Sequence, residues 1–324
     1  MSWYQGCEAF VREQAPLAGL TSYRVGGPAE FLAEPPDAAA LGRLLRKAKA
    51  AGQPVRILGR GTNLLVADAG VKGLVVRLPE EGFGTLERAP HPSLSPGGRG
   101  WGEGVVRAGS ALGLAKLVNW CAAQGLCGLE CLLGIPGSVG AALRMNAGGN
   151  HGRIGGRVRR VFGVEYDGTS FEADREGCGF VYRGSNLGGC IVTSCELELS
   201  SSNRMACRER LARIIGAKAA SQPLGARSAG CVFKNPSESN PAGRLLDELG
   251  LKGLRVGGAA VSTLHANFVV CEGQASAQDL AQLIRLLRQR VYEAHGIMLE
   301  LEIEVWGFAP GELLRKPPHA TLAA

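Results

Sequence analysis

The chain has 324 residues, 45% of them hydrophobic and 20% charged, with a formal net charge of +7 at pH 7. That length suits two domains of roughly 100–200 residues rather than one small core, and the composition is that of a globular protein. The Lys and Arg residues are scattered, with no interleaved aromatics and no reader motif, which argues against nucleic acid; the positive balance fits a plain basic surface or an anionic ligand such as a nucleotide or diphosphate.

The opening stretch, MSWYQGCEAF, has no basic segment followed by an apolar run, and no apolar stretch reaches transmembrane length, so no membrane partner is expected. The ten cysteines lack framework spacing and are expected to be reduced thiols in a cytoplasmic protein. No C-x-x-C pair occurs, and no His completes a zinc site beside Cys127 and Cys131 or Cys190 and Cys195, so no metal is expected.

Along the chain, an N-terminal segment (1–20) precedes a strand at 29–34, ended by Pro35 and Pro36. Asp37 is placed to cap a helix running to Gly52, with Leu41, Leu44, Leu45 and Ala48 at helical spacing. PVRILG (54–59) and VKGLVVRL (71–78) read as strands, giving an early β-α-β unit. Residues 79–104 are rich in Gly, Pro and Ser and lack an apolar period, so they read as a disordered insertion or a lid; without it, VVRL and VVRAGS would join as a hairpin. A helix capped by Ser110 is expected over 112–123, followed by a glycine-dense segment (128–149) and short strands up to residue 200.

The composition then shifts. A basic helix is expected over 203–220, a strand-like run at 228–236, a short helix at 242–250 and a buried strand at 265–273. A long amphipathic helix capped by Ser276 spans 277–294, and a last strand covers 297–307. The expected boundaries are therefore 21–200 for one domain and 201–308 for a second, with a loose tail at 309–324.

Two glycine-rich segments carry the first chemical signal. Gly59-Arg60-Gly61-Thr62-Asn63-Leu64 follows a strand, and its small residues leave backbone N–H groups free to meet phosphate oxygens. It has Leu where a dinucleotide fingerprint needs its third glycine, and it lacks a P-loop lysine, so alone it reads equally as a turn. Gly134-Ile135-Pro136-Gly137-Ser138-Val139-Gly140 is followed by Asn146-Ala147-Gly148. In a regular element each such glycine would cost roughly 0.5–1 kcal/mol, which a loop wrapping a diphosphate and a planar ring explains better than tight turns alone.

With these segments, SYRVGGPAEF (22–31), LGRGTNLLV (58–66), GLECLLGIPGSVGAALRMNAGG (128–149), YRGSN (182–186), SAGCVFKNP (228–236), AGRLLDELGLKG (242–253), HANFVV (265–270) and LELEIEVWG (299–307) stand in the order seen in UDP-N-acetylenolpyruvoylglucosamine reductases. The chain resembles that family over nearly all of residues 20–308.

The resemblance implies an α+β architecture: a vanillyl-alcohol-oxidase/PCMH-type FAD-binding fold of two subdomains, plus a C-terminal α+β domain over the substrate. It implies FAD lined by Gly59 to Leu64, by Gly134 to Ser138 and Gly140, and by Asn146, Ala147 and Gly148. NADPH is the implied co-substrate, and the implied reaction reduces an enolpyruvyl ether to a lactyl ether on a UDP-sugar. In it, hydride from flavin N5 adds to the terminal CH₂ carbon, negative charge develops onto the carboxylate, and the carbon bearing the ether oxygen is protonated.

That chemistry needs a cation at the carboxylate and a proton donor at one face. The motif assigns the cation to Arg183, whose guanidinium keeps its charge when buried. It assigns an orienting acid to Glu304, with Glu302 as rival because the two share strand parity. Cys231 stands where many relatives have a serine proton donor; a thiol, with an ordinary pKa of about 8.5, is a competent acid, although a buried Cys is otherwise a small hydrophobe.

Lys234 and Asn235 are implied contacts of the UDP diphosphate or sugar, Arg24 is implied on the substrate or flavin side, and Arg244 and Lys218 read as weaker contacts or plain surface charge. No tyrosine occurs between Tyr182 and Tyr292, which fits the shorter branch that lacks a tyrosine loop over the substrate. Cys271 and Arg153 depart from the Asn and the acidic residue expected there. A monomer is expected. The alternatives are another FAD oxidase or dehydrogenase of the same fold, against which the C-terminal motifs stand, and a non-catalytic nucleotide-binding regulator, which would not need Arg183, Cys231 and Glu304 together.

Overall fold

The computed structural model describes residues 2–89, 104–149 and 152–313. β1 (Val11–Pro16) and β2 (Pro28–Ala33) lead to α1 (Ala38–Ala50), where the Asp37 carboxylate accepts from the Ala40 amide at 2.7 Å and Leu41, Leu44, Leu45 and Ala48 are buried. β3 (Val55–Leu58), β4 (Leu64–Val66) and β5 (Val71–Arg77) follow; β3 pairs in parallel with β5, which lies between β2 and β3, so the two strands of the expected β-α-β unit form but are not direct neighbours. The sheet order is β1-β2-β5-β3.

The stretch expected to be a structureless insertion begins with regular structure. α2 (Glu80–Phe83) buries Phe83, and β6 (Leu86–Ala89) pairs antiparallel with β7 (Gly104–Gly109), Leu86 opposite Ala108. Glycines on both sides of it serve close backbone approach: a Cβ on Gly82 would lie 1.9 Å from the Pro36 carbonyl oxygen, and one on Gly109 in β7 would lie 2.1 Å from that of Phe83. The hairpin expected from 75–78 and 105–110 does not form, because β5 pairs with β3 while β7 lies in another sheet. Residues 90–103, the rest of that expected insertion, lie outside the described residues.

α3 (Leu114–Ala123) starts after Gly113 without a side-chain cap. The expected cap, Ser110, stands three residues ahead of the N-cap position Gly113 and has a buried hydroxyl without a hydrogen-bond partner, while its amide donates to Thr193 and its carbonyl accepts from Gly140. β8 (Leu126–Cys127), α4 (Val139–Arg144), β9 (Gly148–Gly149) and β10 (Gly152–Arg153) lead into β11 (Val158–Glu165), β12 (Ser170–Asp174) and β13 (Cys190–Ser201), giving the sheet β12-β11-β13-β7-β6.

α5 (Arg204–Ser221) is followed by β14 (Ser228–Cys231), α6 (Ala242–Glu248), β15 (Arg255–Val256), β16 (Ala259–Val261) and β17 (Phe268–Cys271), in the sheet order β14-β17-β16-β15. α7 (Ala277–His295) has a full capping box between Ser276 and Asp279 and ends at Gly296 in the left-handed region. The last strand is shorter than expected: only β18 (Glu304–Trp306) forms, in parallel with β4, while Leu301 makes a single bridge to Phe233 and residues 302–303 bend.

The chain divides into two compact units, one of residues 1–13, 31–60 and 73–218, the other of 14–30, 61–72 and 219–324. The break expected at residue 200 therefore falls at Lys218, since Cys207 and Leu211 of α5 belong to the core of the first unit. That unit also holds a smaller core under α1, around Leu41, Leu44 and Leu74. In the second unit α7 buries Leu280, Leu283, Ile284 and Leu287 against Val261, Val269 and Phe233. The tail expected to be loose from 309 is tied as far as Leu313, which is buried and whose carbonyl accepts from the Arg288 guanidinium at 2.6 Å.

Candidate active site

In the first unit, residues 137–140 run beside 110–114. Gly140 donates to Ser110 at 2.9 Å, Val139 to Leu112 at 3.0 Å and Leu114 to Gly137 at 3.0 Å. The glycines are required by proximity: a Cβ on Gly140 would meet that of Ser110 at 2.9 Å, and one on Gly59 the Ser138 hydroxyl at 3.1 Å. Gly134 and Gly137 take φ values of +70° and +151°, which side-chain-bearing residues rarely adopt. Ile135 packs on the core, Pro136 is exposed, and the Arg60 guanidinium reaches Gly113, 2.9 Å from where its Cβ would stand. With the Leu114, Val139 and Gly140 amides taken by this pairing, what the stretch offers a ligand such as a flavin dinucleotide is side-chain-free backbone at Gly134 and Gly137 and the orphaned Ser110 hydroxyl beside Gly140.

Asn146 has φ +45° and is buried. Its side chain donates to Val181 at 2.9 Å and accepts from the Gly155 amide at 3.1 Å, so it braces the YRGSN loop. Ala147 is buried and its carbonyl accepts from Ile154 at 2.9 Å. The Gly148 carbonyl accepts from Arg183 Nη1 at 3.2 Å. Arg183 is half-buried at φ +56°, and its guanidinium lies 5.6 Å from the Tyr182 ring centre, with that of Arg153 at 5.3 Å from the same ring.

In the second unit, the turn after Arg60 is held against the SYRVGG loop. A Cβ on Gly61 would lie 2.1 Å from the Leu20 carbonyl oxygen, and Ser22 donates to Gly61 at 3.0 Å. Thr62 is half-buried, and buried Leu64 pairs with Glu304 in β4–β18. Arg24 is exposed at φ +56°. Beside it Tyr23 is fully buried; its hydroxyl has no hydrogen-bond partner of good geometry, and burial, then the Cys271 thiol, push its pKa up against a lowering effect of the Ala229 backbone.

Cys231 ends β14, half-exposed, after Gly230 at φ +78°. The next residues are bracketed by Asn267, which accepts from Phe233 N at 2.9 Å and donates to Phe233 O at 2.8 Å. On their other side Glu302 N donates to Val232 O at 2.8 Å, and Lys234 N to Glu300 O at 2.9 Å. Cys231 and the acidic run 300–304 are therefore on neighbouring stretches.

Glu304 is exposed and its carboxylate accepts from the Trp306 indole at 3.2 Å; Glu302, half-buried, precedes the strand, so shared parity does not relate the two. Lys234 pairs with Glu300 at 3.2 Å. The Asn235 side chain accepts from the Ala242 amide at 3.1 Å and so caps α6, a structural task the sequence did not reveal. Arg244 pairs with Glu248 on the same helix.

Among the described residues, the non-glycine residues in the left-handed region are Gln14, Arg24, Asn146 and Arg183, so all but the first are residues that sequence motifs singled out. Such strain persists where surrounding structure holds it, commonly at functional sites. The buried Asn267 was missed, although a lone amide inside the apolar run ANFVV must find partners and could have marked it. No group of three or more His, Cys, Asp or Glu side chains is placed to hold a metal ion among the described residues, and none of their helices is long and apolar enough to cross a membrane.

Residues 29–169 match the family model described as FAD binding domain, and residues 222–306 match UDP-N-acetylenolpyruvoylglucosamine reductase, C-terminal domain. UDP-N-acetylenolpyruvoylglucosamine reductase 2 of Symbiobacterium thermophilum is 40% identical over 302 residues, 93% of each chain. The chain belongs to the UDP-N-acetylenolpyruvoylglucosamine reductase family. The reductase of Anaeromyxobacter dehalogenans is likewise 40% identical, over 99% of this chain and 94% of its own. The crystal structure of the Thermus caldophilus reductase superposes with a TM-score of 0.75 at 40% identity, covering 92% of this chain and all of that one. The fold therefore combines an FAD binding domain with the family's own C-terminal domain.

Proposed function

We propose that this chain reduces UDP-N-acetylenolpyruvoylglucosamine to UDP-N-acetylmuramate, with FAD as hydride carrier and NADPH as reductant, in the synthesis of peptidoglycan precursors. The observation that carries the reading is the 40% identity over 93% of the chain to a reductase named for that substrate. FAD, when bound, would supply the hydride chemistry that links NADPH to the enolpyruvyl double bond.

The remaining work belongs to the chain's own residues. Backbone at Gly59 to Leu64 and at Gly134 to Gly140 would hold the dinucleotide, with Ala147 and Gly148 along it and Asn146 bracing that stretch through Val181 and Gly155. Arg183 binds the substrate carboxylate and stabilises the charge that builds on it, its guanidinium oriented by the Gly148 carbonyl and the Tyr182 ring. Cys231 gives its Sγ proton to the carbon bearing the ether oxygen. Glu304 orients the carboxylate end, and Lys234 and Arg24 meet the anionic UDP-sugar.

The same reading places the enzyme in the cytoplasm as a monomer of the branch without a tyrosine loop. The test is product analysis: purified enzyme, NADPH and substrate must yield UDP-N-acetylmuramate by mass spectrometry with matching NADPH consumption. NADPH consumption without that product would refute it.

A further inference from the structure

α5 lies between the two matched family regions, 29–169 and 222–306, and belongs to neither. Only Cys207 and Leu211 of this helix are buried, and Ile214 packs beside them on the core of the first unit. Residues 207, 211, 214 and 218 follow one another at helical spacing, so the apolar stripe that docks α5 carries Lys218 at its end.

There the Lys218 ammonium donates to the Leu133 carbonyl. Its stem lies under Gly134: a Cβ on that glycine would be 2.9 Å from Lys218 Cδ and 3.4 Å from Ile215 Cδ1. One more contact holds the same loop to the helix. Arg210 pairs with Glu130 at 2.9 Å, and the other oxygen of that carboxylate accepts from the Gly128 amide at 2.7 Å.

We infer that Lys218 is a positioning residue for the cofactor: by holding the Leu133 carbonyl it fixes where the Gly134–Gly140 turn begins, and so the backbone that cradles FAD. This rests on the proposed assignment of that turn to FAD. A solvated lysine would need no such bond. This one is half-buried, and burial lowers its pKa from the ordinary lysine value, so the carbonyl it grips must compensate for lost hydration.

The test titrates apoprotein with FAD, following quenching of flavin fluorescence. Lys218→Met keeps length and packing but loses the charged donor, and FAD affinity is expected to fall about tenfold, the scale of one charge-assisted hydrogen bond. Lys218→Arg is expected to stay within about twofold, since it restores the donor. Arg213→Ala removes an exposed charge from the same helix and should leave affinity and the visible circular dichroism of bound FAD unchanged.

Should the Met variant fail to fold, Lys218→Gln, a neutral donor, takes its place with a smaller expected loss. Wild-type affinity in Lys218→Met, or an equal loss in Arg213→Ala, overturns the inference. Gly140→Val, which drives a side chain into Ser110, keeps the two readings apart. If it binds FAD normally, the turn is not the cradle; if it loses FAD while Lys218→Met does not, only the role of Lys218 fails.

Discussion

The side-chain amide of Asn63 donates to the backbone carbonyl of Glu302 at 3.0 Å, and one residue pair further on the Asn63 carbonyl accepts from the Glu304 amide at 2.9 Å. A motif residue from the glycine-rich turn thus locks the chain between the two candidate acids. Asn63→Ala removes the side-chain bond at a half-buried position and is expected to destabilise the protein by about 1–2 kcal/mol, read as a lower urea midpoint. An unchanged midpoint would mean that water replaces the amide without loss.

The bend at 302–303 separates the acids. Glu304→Gln is expected to slow substrate reduction by at least about tenfold while Glu302→Gln changes it little, as steady-state kcat shows. The reverse ranking would move the role to Glu302.

Cys231→Ala is expected to lower turnover by about 100-fold or more, the usual range for loss of a general acid, with Cys231→Ser retaining much of it. Flavin reduction by NADPH in stopped flow should be the same in both variants. Near-wild-type turnover in the alanine variant would remove Cys231 from proton transfer.

Asn235→Ala is expected to act mainly on stability, by about 1 kcal/mol, because its oxygen caps α6 at Ala242. A thermal melt checks this. A large rise in substrate KM with no change in melting would make substrate contact, and not the cap, the main task of Asn235.

Burial holds the Cys190 and Cys271 thiols up at about 11, against an ordinary value of 9.0. The unfolded chain therefore loses these protons first. The stability they contribute is whole below pH 9 and falls away between pH 9 and 11. Cys190→Ala with Cys271→Ala is expected to make the decline of the urea midpoint across that interval shallower, the remainder belonging to other buried thiols such as Cys178, also held up at about 11. An equally steep decline in the double variant would assign it to other groups.

The sequence made legible whatever rests on local rules. Asp37 before α1 and Ser276 with Asp279 before α7 were readable because a cap is a short-range match of side chain to free amide. The segment at 79–89 was not, because Gly82, one of the glycines that suggest disorder, serves instead to touch backbone at distant Pro36. The candidate site was readable as motifs, but not as a division of labour. Nothing local says that Asn146 and Asn235 have amides engaged in bracing and capping, or that a bend at 302–303 breaks strand parity, since each depends on contacts with distant parts of the chain.

The most direct test of the central claim is the anaerobic absorbance spectrum of the FAD-loaded enzyme, taken with NADPH and then with UDP-N-acetylenolpyruvoylglucosamine. The account predicts flavin bands that bleach with NADPH and recover on adding that substrate, with UDP-N-acetylmuramate formed. Bands that stay bleached until oxygen is admitted would contradict it and point to an oxidase of the same fold.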